Sequence, residues 1–140
     1  MTMPLNKTEF NRGLDLFNRA HFFDAHEVLE DVWREAPLHS VSRRHLQGLV
    51  QLAVAFHHHS KGNYVGARSV LDRGMRNLHG ADSSFPALDL DRLRTELEIW
   101  RRHLDNSERA DEKKFEARDV LNSSTPNSSA PALPKIMKRR

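Results

Sequence analysis

The sequence predicts an all-α protein. It reads as a compact bundle of about five helices, built from two helical hairpins plus a fifth helix, with a disordered C-terminal tail. Three observations carry this. Apolar residues recur at three-four spacing through five separate stretches. The third stretch, Leu46 to Phe56, is apolar nearly all round, as suits a helix surrounded by others. The first four stretches also echo one another at an offset of 42 residues. Phe22, Ala25, Val28, Leu29, Glu30 and Trp33 fall on Tyr64, Ala67, Val70, Leu71, Asp72 and Met75, while Phe10 and Leu14 fall on Leu52 and Phe56. Two such units are too few for a repeat array. The chain divides into an N-terminal arm (1–7), a helical domain (8–106) and a tail (107–140) that is first charged and then Ser/Asn/Pro-rich.

Thr8 can cap the first helix, whose stripe is Phe10, Gly13, Leu14 and Phe17. Asp24, with Glu27 three residues on, suggests a capping box at the start of the second helix. Pro37 ends that helix near Ala36. Ser40 or Ser42 caps the third helix, which reaches Ser60. Lys61-Gly62-Asn63 is a stop and turn. The fourth helix spans Tyr64 to Leu78, and Gly80 to Pro86 is a loop. Asp89 opens the fifth helix, striped by Leu90, Leu93, Leu97, Trp100 and Leu104. Arg94 and Glu98 are expected to pair on its exposed face. Gly48 and Gly66 are expected to permit close helix approach. Residues 122–134 are too poor in apolar side chains to fold by themselves.

Composition narrows the function classes. No cysteine is present among the 140 residues, so disulfides, thiolate zinc sites and cysteine nucleophiles are excluded. Any metal must be held by His, Asp, Glu or amide oxygen. No apolar run is long enough to span a membrane, and residues 1–7 lack a signal-peptide core, which points to a cytoplasmic protein. The formal charge of +3 comes entirely from the tail, because residues 1–106 carry 14 Lys/Arg against 14 Asp/Glu. The high pI is therefore no evidence for a nucleic-acid-binding face on the domain. The tail ends in a basic tip of Lys135, Lys138, Arg139 and Arg140, the one feature that suits an anionic partner.

His26 and Glu30 share a helix face, and Leu29 and Trp33 beside them turn that face inward. On the third helix Gln47, Gln51 and His58 lie along one line. Antiparallel packing of helices two and three would join His26, Glu30, Gln47, Gln51 and His58 into a buried polar cluster. Two readings follow. One is a satisfied structural network that gives geometric specificity. The other is a divalent-metal site with His26, Glu30 and His58 as ligands. The zincin pattern His-Glu-x-x-His is not met, since Glu30 occupies the fifth position. His57-His58-His59 cannot converge on one ion, because neighbours on a helix diverge. Neither a phosphate loop nor a Ser-His-Asp order is visible.

Three blocks carry a family resemblance: Phe22-Phe-Asp-Ala-His-Glu-Val-Leu-Glu-Asp-Val-Trp33, Leu46-Gln-Gly-Leu-Val-Gln-Leu-Ala-Val-Ala55, and Gly62-Asn63 followed by Gly66-Ala67. In this order they resemble the small helical family known as domain of unknown function 309. The likeness covers roughly residues 10–80. It implies an all-helical fold in a bacterial or archaeal-type cytoplasmic protein, and implies no activity.

The leading expectation is a non-enzymatic module acting through protein contact or self-association, with no cofactor. The first alternative is a metal-binding protein or metal-dependent hydrolase using His26 and Glu30. The second is an anionic partner, such as nucleic acid, held weakly by the basic tip.

Overall fold

The computed structural model describes residues 6–116, with side chains through 107, and residues 130–140. Five helices follow in order: α1 (Lys7–Asn18), α2 (Phe22–Glu35), α3 (Val41–Ser60), α4 (Tyr64–Asn77) and α5 (Leu90–Glu116), with a short 3-10 turn at Ala81–Ser83 before α5. The fold is all-α, and none of the helices among the described residues is long and apolar enough to cross a membrane. α3 is the central element and packs most extensively on α4, then on α2.

The 42-residue echo is a structural repeat. Shifting α2 by 42 residues reproduces the bounds of α4, and the ends of α1 and α3 differ by the same 42. The turns match as well. Arg19 and Lys61 have the same C-cap conformation, and Ala20 and Gly62 both adopt positive φ, at 65° and 79°. The amides of His21 and Asn63 then donate to Leu16 and His58 carbonyls, both at 2.9 Å. The left-handed geometry is free for glycine and costs an L-residue about 1–2 kcal/mol. Ala20→Gly is therefore expected to raise the unfolding free energy by about 1 kcal/mol, and Gly62→Ala to lower it by a similar amount. Urea unfolding of the two variants checks both. A Cβ at Gly62 meets nothing within 4 Å, so backbone strain alone sets that change.

Two starts differ from the sequence reading. α1 is capped by Asn6, whose side chain accepts from the Glu9 amide at 3.2 Å, rather than by Thr8. α2 begins at Phe22, not Asp24, and His21 at its N-cap gives no side-chain bond. The early start places Phe22 on the core, edge-on to Phe17 and against Phe56. Burial of that ring outweighs the missing cap. Ser40 caps α3 and Asp89 caps α5, as expected. Arg94 does not pair with Glu98. It reaches the Leu78 carbonyl at the end of α4 and Asp82, both at 3.1 Å, while Glu98 pairs with Arg101 and Arg102.

Close approach of the helices rests on three glycines. Gly13 lies under Leu29, joining α1 to α2. Gly48 and Gly74 face each other across α3 and α4. Gly66 is different, because the nearest atoms that a Cβ there would meet belong to the Asn63 cap of its own helix.

α5 runs to Glu116, past residue 106 where the sequence reading ends the domain. Residues 117–129, the middle of the expected tail, lie outside the described residues. The end of the chain is not loose. Residues 130–140 return to the body, and Ile136 is 3% exposed.

Candidate functional site

The Phe22–Arg34 stretch supplies one wall of a cleft between α2 and α3. Its lining is His26, Glu30 and Trp33 from α2, and Gln47, Val50, Gln51 and Val54 from α3, around a volume of about 230 Å³. Each set follows helical i, i+3/i+4, i+7 spacing, so two antiparallel stripes form the two walls. The cleft opens to solvent. The His26 and Glu30 side chains are 24% and 31% exposed, and their Nε2 and Oε2 lie 3.3 Å apart. The other ring nitrogen of His26, Nδ1, faces the Phe23 carbonyl at 3.0 Å. Glu30 also accepts from Arg34 at 3.0 Å.

Four of the five sequence candidates, His26, Glu30, Gln47 and Gln51, therefore share one cleft. They do not form a sealed network. Gln51 is held from the other side, where its Oε1 accepts from Asn77 of α4 at 2.7 Å. His58 is not part of the site. Beyond His26 the α2 wall continues only to Phe23, and there His57, not His58, meets it, with ring centroids 5.3 Å apart. His58 instead lies beside Asn63 at the α3–α4 turn. The metal set His26, Glu30 and His58 is thus not brought together, and among the described residues no group of three His, Cys, Asp or Glu is placed to hold an ion.

Trp33 is the large apolar side chain of the lining. Arg43 stacks on its ring at 4.3 Å and donates to the Ala36 carbonyl at 2.9 Å, tying α3 to the end of α2. The Trp33 indole N–H is buried and has no partner among the described residues.

Among the described residues, the polar residue that is truly buried is His45, at 1% exposed. Its Nε2 meets the His79 carbonyl at 3.2 Å and its Nδ1 meets Ser84 Oγ at 2.6 Å. A neutral ring satisfies both, donating from Nε2 and accepting the hydroxyl proton at Nδ1. Burial pushes its pKa below the usual histidine value, although the His79 carbonyl pulls the other way. His59, edge-on to Trp100 at 4.9 Å, is also lowered, first by burial and then by His103. The sequence held a signal for His45: it lies in helical register with Leu49, Leu52 and Phe56. His57 lies i+3 from Val54 and i+7 from Val50, so helical spacing marks it as well as His58 and does not choose between them.

Residues 10–70 match the model of the family described as Domain of unknown function (DUF309). That stretch contains all three blocks on which the resemblance rests, and with them the whole α2–α3 cleft. The chain is similar to the uncharacterized protein YpuF of Bacillus subtilis (strain 168), 36% identical over 70 residues, covering 50% of this chain and 40% of that one. It is also similar to an uncharacterized protein of Aquifex aeolicus (strain VF5), 27% identical over 82 residues, covering 59% of this chain and 24% of that one. The chain thus spans less than half the length of either relative. α5 and the returning C-terminal segment lie outside the family match.

Proposed function

We propose that this chain is a non-enzymatic protein-interaction module whose working surface is the α2–α3 cleft. The observation that carries the reading is the amphiphilic lining of an open groove. Trp33, Val50 and Val54 form an apolar floor, and His26, Glu30, Gln47 and Gln51 rim it. An exposed apolar residue extends the surface at one end, where Phe23 is 50% exposed and packs beside His26 and His57. Such a surface suits an apolar stripe of a partner helix or peptide.

Charge narrows the partner. α2 carries Asp24, Glu27, Glu30, Asp31 and Glu35 against Arg34 alone, in a chain whose net charge is +3. Of these carboxylates Glu30 lines the cleft and the others lie around it on the same helix, and a basic amphipathic segment suits that helix. A photoreactive residue in place of Gln47 is expected to give a discrete protein adduct in cells that make the chain, with none from the same residue at Arg73 on the outside of α4. Equal adducts at both positions, or none at Gln47, would overturn the reading. Adding Val54→Arg is expected to abolish the adduct.

A metal-dependent role for His26 and Glu30 would need further ligands from outside the pair. His26→Ala is expected to cost less than about 1 kcal/mol, as for a solvent-reached i,i+4 pair, in a urea titration. If added zinc or nickel raised the Tm of the wild type and not of His26→Ala, the metal reading would take precedence.

A further inference from the structure

The segment 130–140 lies in a groove formed by the end of α1, the turn before α5 and the side of α5. The body holds its main chain by complementary polar groups. The side-chain amide of Asn18 grips one residue from both sides, with Ile136 N donating to Oδ1 at 2.7 Å and Nδ2 donating to the Ile136 carbonyl at 3.0 Å. Trp100 Nε1 donates to the Ala132 carbonyl at 2.9 Å, and a Glu96 carboxylate oxygen accepts from the Lys135 amide at 3.3 Å. At the far end, Leu88 and Lys138 form an antiparallel bridge. There Asp89 N donates to the Met137 carbonyl at 2.8 Å and Arg139 N donates to the Ala87 carbonyl at 2.7 Å. Side-chain selection is confined to Pro134 and Ile136, both buried. The Arg139 side chain adds one bond, to the Leu88 carbonyl at 3.1 Å.

This is the geometry of extended-peptide recognition. Main-chain bonds give affinity regardless of sequence, and a pocket for one side chain gives selectivity. We propose that this groove is an extended-peptide docking site, separate from the α2–α3 cleft, whose occupant is the segment 130–140 held reversibly and exchangeable with the same segment of a second copy. Three observations support exchange over permanent packing. The segment contributes two buried residues against the many of the helical core. Its first main-chain bond to the body among the described residues is at Ala132, with 13 residues (117–129) of sequence between α5 and residue 130. Its tip is basic, and Lys135, Lys138 and Arg140 remain exposed.

The test uses the full chain and a labelled peptide of residues 130–140. Ile136→Asp in the chain releases the resident segment and leaves every groove residue unchanged. The labelled peptide is expected to bind this variant saturably, and to bind the wild-type chain about tenfold more weakly or worse, because the tethered segment competes at high effective concentration. A peptide carrying Ile136→Ser, with its charge unchanged, is expected not to bind. If circular dichroism shows that Ile136→Asp has lost its helices, Arg139→Pro serves in its place, since it removes both the amide that bonds Ala87 and the guanidinium that bonds Leu88. The proposal is overturned if a folded, released chain fails to bind the peptide. It is equally overturned if the two peptides bind alike, which would mark charge attraction to a surface such as α2.

Discussion

Gly48→Val is expected to lower the unfolding free energy by about 3 kcal/mol, a large share of what a domain of this size has. The reason is the α3–α4 crossing. A Cβ built on Gly48 falls 2.9 Å from Leu78 Cγ and 3.1 Å from the Gly74 carbonyl oxygen. The second of these is backbone and cannot swing aside. Leu78 is itself buried, at the end of α4. Two further methyl groups would force the helices apart along their whole contact, which is the most extensive in the bundle. Gly48→Ala brings the same first clash, offset by about 1 kcal/mol of helix propensity, so a smaller loss is expected. Denaturant unfolding of the two variants checks the order. A valine variant as stable as the wild type would mean that the crossing is looser than described. The same crossing positions the site, because Gln51 lies beside it and is held by Asn77 of α4.

Removing His45 is expected to produce the second large effect. His45→Ala should cost about 2–4 kcal/mol near pH 7.5, because it leaves a void and strips the Ser84 hydroxyl and His79 carbonyl of their partner. The pH dependence supplies an independent readout. Burial lowers the His45 pKa in the folded state, so the folded chain binds this proton more weakly than the unfolded chain. The contribution is complete above about pH 6.5, the unfolded value, and is lost as pH falls toward the lowered folded value. His59 adds a loss in the same direction. Wild-type stability is therefore expected to decline below about pH 6.5. His45→Gln keeps a donor and an acceptor without a titrating ring, and should flatten that decline. An unchanged slope would show that another group carries it.

The polar cluster shows how far the sequence alone reached. The i, i+4 spacing of His26 with Glu30 and of Gln47 with Gln51 was enough to place all four on facing walls, because helical periodicity fixes which residues share a face. The same arithmetic placed His58 with them and failed. α2 is shorter than α3, and where it ends at Phe22 the facing position is set by how the two helices cross. That crossing is set by how the side chains of the two helices pack, and periodicity carries no information about it. Leu29 and Trp33 pointed to an inward face, yet Leu29 packs on Gly13 of α1 and Trp33 lines the open cleft, because whether the groove was filled or open depended on the distance between the helix walls.

By itself the sequence determined the all-α class, five helices, the duplicated hairpin and the central place of α3. These follow from local signals that each act within a few residues: three-four apolar spacing, Ser40, Pro37, Gly62 and Asp89. The tertiary structure alone decided that the α2–α3 stripes leave an open cleft, that His45 is the sealed histidine, and that residues 130–140 return to the body. The last of these was out of reach for a physical reason. The segment has no periodicity of its own, and its order comes from Asn18, Glu96, Trp100 and the 87–89 backbone, partners up to 118 residues away along the chain.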